Sequence, residues 1–84
     1  MLPAGNLFDL GQQFRRERKA LGKTQAEVAQ AAGLRRETIL GIEAGRNADL
    51  LSFMRACAGL GRGVLIASMT PTLDDLERMF GDED

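Results

Sequence analysis

The chain has 84 residues, 11 Lys or Arg, 12 Asp or Glu, a single Cys and no His. That length holds one small domain, with a marginal core if it works alone. A lone Cys57 excludes a disulfide framework, and the lack of His removes His-based zinc sites and His general bases.

The longest apolar run, Val64 to Ala67, is far too short to span a membrane, and Met1-Leu2-Pro3 shows no signal peptide. A reducing cytoplasm is therefore expected. The net charge of −1 hides a segregation. From Arg15 to Arg46, eight basic residues face four acidic ones, a net +4. From Asp74 to Asp84, six acids stand against Arg78, a net −5. A basic body with an acidic tail fits a nucleic-acid surface plus something separate.

In chain order, Asn6 caps a first helix, with Asp9 three residues on, and Gly22 ends it. Its inward stripe is Leu7, Leu10, Phe14, Arg18 and Leu21, at steps of three and four. Arg18 on an apolar stripe needs a partner, since an unpaired buried charge is costly. Glu43, beside the inward Ile39 and Ile42, is the natural one. The alternative is that Arg18 reaches water along its stem.

Thr24 with Glu27 makes a capping box that opens a second helix at Gln25. Val28, Ala29 and Ala32 give it a narrow side of small residues, and Gly33 ends it. A third helix runs from about Arg36 to Ala44 and stops at Gly45. The small residues let these two helices approach at the steep crossing of a helix-turn-helix.

Asp49 caps a fourth helix with the apolar face Leu50, Phe53, Met54, Cys57 and Leu60. Cys57 there reads as a small core residue rather than a reactive thiol. Gly59, Gly61 and Gly63 then break the chain. Val64-Leu65-Ile66-Ala67-Ser68-Met69 reads as a strand, short, partly β-branched and bounded by turn residues. Pro71 allows a last helix from Leu73 to Phe80. No repeats or low-complexity tracts occur.

Gln25, Ala29, Gly33, Ile39, Ile42, Glu43 and Gly45 stand at the spacing of a known motif. The stretch resembles the XRE family, which includes the lambdoid repressors and Cro. The resemblance implies an Arg–Glu pair at Arg18 and Glu43. It also implies that the helix opening at Arg36 enters the DNA major groove. The positions matching Arg36, Glu37 and Gly41 often read bases in that family. Arg36 can give two hydrogen bonds to guanine O6 and N7, Glu37 can accept from cytosine N4, and Leu40 can touch a thymine methyl. Gly41 has no side chain, so one usual reader is missing. Gln25, at a helix N-terminus, is placed to hold a phosphate with the backbone N–H groups there. Arg35 stands where the family usually has a Ser or Thr cap, and is expected on phosphate. Arg46 and Lys23 are further phosphate candidates. The alternative for each exposed Arg is a solvated surface charge.

The expected fold is mostly α: a lambda-repressor-like helix-turn-helix bundle of four helices, plus one C-terminal strand pairing across a dimer and a short last helix. Residues 1–62 would form the DNA-binding domain and 63–84 the dimerisation strand, short helix and acidic tail. The expected function is sequence-specific repression on a palindromic operator. The layout resembles HipB-type antitoxins, which implies autoregulation and a toxin partner, often a HipA-like kinase. The alternatives are a protein-interaction module that kept the fold, or a phage-type repressor without a toxin. No nucleophile–base pair, metal cluster or phosphate-binding Gly loop is visible, so no enzyme, metal or cofactor is expected. A lone strand leaves its backbone groups unpaired, so a homodimer through Val64 to Met69 is expected, against the idea that this stretch continues as helix.

Overall fold

The computed structural model describes residues 2–69. It contains α1 (Leu7–Ala20), α2 (Gln25–Ala32), α3 (Arg36–Glu43) and α4 (Leu50–Gly59). The last helix expected at Leu73 to Phe80 lies outside the described residues.

Each start follows from a short polar side chain, with one exception. The Asp9 N–H donates to Asn6 Oδ1 at 2.8 Å and opens α1. At α2 the Glu27 N–H donates to Thr24 Oγ1 at 3.1 Å, while the Thr24 N–H donates back to Glu27 Oε1 at 2.8 Å. The Ser52 N–H donates to Asp49 Oδ1 at 2.8 Å and opens α4. At α3 the cap position is held by Arg35, which makes no side-chain cap bond.

The helices end alike. After α3, Gly45 takes φ +79°, its N–H donates to Ile42 O at 3.1 Å, and the Arg46 N–H donates to Gly41 O at 2.9 Å. This is a Schellman closure, and glycine takes the left-handed backbone at its hinge without strain. The same pair of bonds recurs at Gly22, Gly33 and Gly61.

Phe14, Val28, Ala29, Ile39, Ile42, Ala56, Cys57 and Leu60 form the core, with Ile39 and Val28 fully enclosed. Burial of such a side chain contributes about 1.5–3 kcal/mol before entropy is counted. α2 packs on both α3 and α4, and α1 packs on α3. Small residues permit the close crossings. A Cβ on Gly59 would stand 3.1 Å from Val28 O and 3.2 Å from Ala32 Cβ. A Cβ on Gly11 would collide with the Ile42 carbonyl oxygen. The Phe14 and Phe53 rings meet at a centroid distance of 6.4 Å, bridging α1 and α4.

Two apolar stripes differ from the expectation. Leu7 and Leu21, at the ends of α1, are exposed, while Gly11 is buried. α1 lies against the α3 backbone at Gly11, beside the Ile42 and Glu43 carbonyl groups. On α4 the buried face runs through Phe53, Ala56, Cys57 and Leu60, whereas Leu50 and Met54 are exposed. α4 closes on Val28 and Ala32 of α2 at Gly59, more than one turn beyond Leu50 and Met54.

After Gly61 the chain is neither helical nor paired with another described segment. Continuation of α4 through Val64 to Met69 is thereby set aside, and no strand ladder forms among the described residues. The Arg62 Nε–Glu17 Oε1 pair at 2.8 Å ties the exit of α4 to α1. Gln13 Nε2 donates to Leu2 O at 2.8 Å, and Met69 packs beside Gly5, so both ends of the described chain meet along α1. No helix is long and apolar enough to cross a membrane.

Candidate nucleic-acid interface

Three helices meet at one carboxylate. Arg18 on α1 donates to Glu43 through Nε at 2.6 Å and Nη2 at 3.0 Å. Its Nη1 donates to Lys23 O at 2.8 Å, holding the turn between α1 and α2. Gln25, the first residue of α2, donates its Nε2 to Glu43 Oε1 at 3.1 Å. Both ends of the ion pair are buried, and among the described residues no buried side-chain polar atom lacks a partner.

Burial pushes the Glu43 carboxyl up, but the hydrogen bonds from Arg18 and Gln25 and the charges of Arg18 and Arg15 outweigh it and hold Glu43 below the usual carboxylate range. The hydrogen bond to Glu43 holds the Arg18 guanidinium above its ordinary value, against the opposing effect of burial. The pair therefore stays ionised and its charges cancel locally.

That cancellation shapes the surface above it. An open hollow is lined by Arg15, Lys23, Gln25, Arg36, Leu40 and Glu43, among others. Glu43 is the sole acid among the described lining residues, and Arg18 neutralises it. Arg15, Lys23 and Arg36 then leave the hollow net positive, one cation from α1, one from the turn and one from α3.

The model of the helix-turn-helix domain matches residues 9–64. The chain belongs to the helix-turn-helix domain family. Its XRE resemblance, read from Gln25 to Gly45, holds. Among solved structures, the restriction-modification controller protein C.AhdI from Aeromonas hydrophila is 33% identical. That match covers 67% of this chain and 86% of the other, at a TM-score of 0.63. HipB in a HipA-HipB-O2-O3 complex is 21% identical and shares the fold over 83% of this chain and 100% of its own, at a TM-score of 0.76. A mutant of the controller protein C.Esp1396I is 28% identical over 75% of this chain and 80% of the other, at a TM-score of 0.64. No curated protein sequence matches.

In this helix-turn-helix domain α3 is the second helix of the motif. Ile39 and Ile42 turn inward, while Arg36, Glu37, Leu40 and Ala44 are exposed. Arg36, Leu40, Lys23 and Gln25 come together at the hollow. Glu37, Arg35 and Arg46 do not line it. Arg46 lies instead over Gly41, where a Cβ would stand 3.7 Å from its Nε and 3.9 Å from its Nη2.

Sequence reasoning missed Arg15 in the hollow, although it precedes Arg18 by three residues and so shares its helix face. It also missed the Gln25–Glu43 bond. The first-turn position of Gln25 suggested only a phosphate, and nothing in the spacing shows a side chain reaching α3. Among the described residues no His, Cys, Asp or Glu cluster could hold a metal.

Proposed function

We propose that the protein is a homodimeric, sequence-specific DNA-binding transcriptional repressor of the cytoplasm that autoregulates as the antitoxin of a toxin–antitoxin operon. The observation that carries the DNA-binding reading is the exposed edge of α3 beside a hollow whose one acid is cancelled by Arg18. A cationic groove with a neutralised carboxylate attracts a polyanion at every approach, and phosphate contacts dominate affinity for DNA.

In this reading Arg36, Glu37 and Leu40 meet base edges in the major groove. Lys23, Arg35 and Gln25 meet phosphates. Gln25 keeps one amide N–H free for this, since Glu43 takes the other. Residues 1–62 bind the operator, and 63–84 dimerise and offer the acidic tail to a partner protein. HipB, whose fold this chain shares, is seen in complex with O2 and O4 20mers and with HipA. That supports a HipA-like toxin as the partner here.

A second reading, a controller of a restriction-modification operon, is favoured by the 33% identity to C.AhdI. The deciding experiment is a gel shift of the DNA upstream of the protein's own gene, with the neighbouring gene product co-expressed. A shift whose complex also retains a kinase-like neighbour supports the antitoxin. A shift with a restriction or modification enzyme next door supports the controller. A chain that shifts no DNA loses both.

A further inference from the structure

Helix α3 lacks a side chain at Gly41, on its outward side between Glu37 and Ala44. The Schellman closure at its end compensates. In that closure the residue after the left-handed glycine folds back over the third residue from the helix end. Here those two residues are Arg46 and Gly41, joined by the backbone bond from Arg46 N to Gly41 O at 2.9 Å. The Arg46 guanidinium then lies beside the place where a side chain on Gly41 would begin, with Nε 3.7 Å and Nη2 3.9 Å from the site of its Cβ, an ordinary contact distance. Among the described residues this guanidinium makes no hydrogen bond or ion pair with the protein, so its donors are free. Arg46 also lines a small cleft with Ile42, Ala48 and Phe53, so its chain is seated.

We infer that Arg46 reads a guanine edge in the major groove in place of the side chain that α3 lacks at Gly41. From sequence alone Arg46 is a phosphate contact; its seat over Gly41 makes it a base reader. A planar guanidinium supplies two parallel donors to guanine O6 and N7, which a lysine cannot reproduce. Arg36 and Arg46 then bracket the recognition helix, one at each end, with Leu40 between them. This inference rests on the DNA-binding reading above.

The test uses the full chain and an operator that the wild type selects from a pool of random duplexes. Affinities for that operator, for each single base-pair substitution and for a random duplex are compared for wild type, Arg46→Ala and Arg46→Lys. The expected result is one G·C pair whose replacement costs the wild type roughly 5- to 150-fold and costs Arg46→Ala nothing further. Arg46→Lys, which keeps the charge and the fold, should lose the same discrimination. Gly41→Ala, whose Cβ meets Arg46 only at ordinary contact distance, should keep it. If Arg46→Lys retains full discrimination, or Arg46→Ala weakens operator and random duplex by one factor, Arg46 is a phosphate contact and the inference is overturned. A wild type that enriches no sequence but binds random duplexes also overturns it. A wild type that binds no duplex at all overturns the DNA-binding reading itself.

Discussion

Arg18 and Glu43, 25 residues apart, form a two-pronged buried ion pair with Nε–Oε2 at 2.6 Å and Nη2–Oε1 at 3.0 Å. The pair joins α1 to α3, and Gln25 and the Lys23 carbonyl complete its hydrogen bonds. Breaking one side strands the other charge. Arg18→Met or Glu43→Leu alone should cost about 3–5 kcal/mol, and the double replacement should recover most of it. Thermal melting of the three variants checks this; single variants that melt with the wild type would remove the pair from the account of stability.

The same pair sets an acid limit on the fold. Glu43 titrates below the usual carboxylate range in the folded chain, so the unfolded chain takes up its proton first as pH falls. Its stabilisation is complete at neutral pH and is lost as pH drops through the ordinary carboxylate range to the folded value. Glu27 and Asp49, both in helix caps, shift in the same direction through their hydrogen bonds to Thr24 and Ser52. Melting temperature should therefore fall between neutral pH and about pH 3, and the slope should be shallower in Glu43→Gln. An equal slope in that variant would assign the acid sensitivity to the caps alone.

Gly11 sets how closely α1 lies on α3. A Cβ there would meet the Ile42 carbonyl and stand 3.0 Å from the Glu43 carbonyl oxygen, which is backbone and cannot swing away. Gly11→Ala should thus destabilise by about 1–3 kcal/mol, despite the better helix propensity of alanine. Chemical denaturation measures the sign. A stabilised variant would mean that α1 shifts without cost.

These residues also show what the sequence discloses. The capping residues Asn6, Thr24 and Asp49, the glycine stops and the Arg18–Glu43 pair are all local rules or charge accounting, and each was legible. Leu50 and Met54 were misplaced because helical periodicity defines a stripe but not which neighbour covers it. Ala56 and Gly11 are small, and so carry little signal in an apolar count. They are buried because another helix comes close at those points. The seat of Arg46 over Gly41 depends on the turn after α3, which the residues alone announce only as a glycine.

Cys57 lies on the buried face of α4, and burial pushes its thiol up. Only the thiolate is a good nucleophile, so the native chain should react slowly with a thiol reagent. Labelling should become fast once denaturant unfolds the chain. Rapid labelling of the native protein would mean that α4 opens readily from α2.

The last prediction concerns Val64 to Met69. Leu65 is 71% exposed and Ile66 95% exposed, although both are large and apolar. Among the described residues the segment forms no strand ladder, and its large apolar side chains stand open to water. It also borders an apolar cleft of about 470 Å³ between α1 and α4, walled by Leu10, Phe14, Phe53 and Cys57. Leu50, Leu51 and Met54 add exposed apolar surface on α4. One arrangement answers all of these needs, namely an antiparallel pairing with the same segment of a second copy across a two-fold axis. The two strands then share one ladder, and the ribbon's apolar face lies toward the clefts. Two recognition helices would stand about 34 Å apart, one DNA turn, which requires a palindromic operator. The wild type should sediment as a dimer at micromolar concentration. Ile66→Pro removes a ladder donor and should give monomers with weakened operator binding but an unchanged helical spectrum. A wild type that sediments as a monomer, or an Ile66→Pro chain that stays dimeric, defeats the strand pairing.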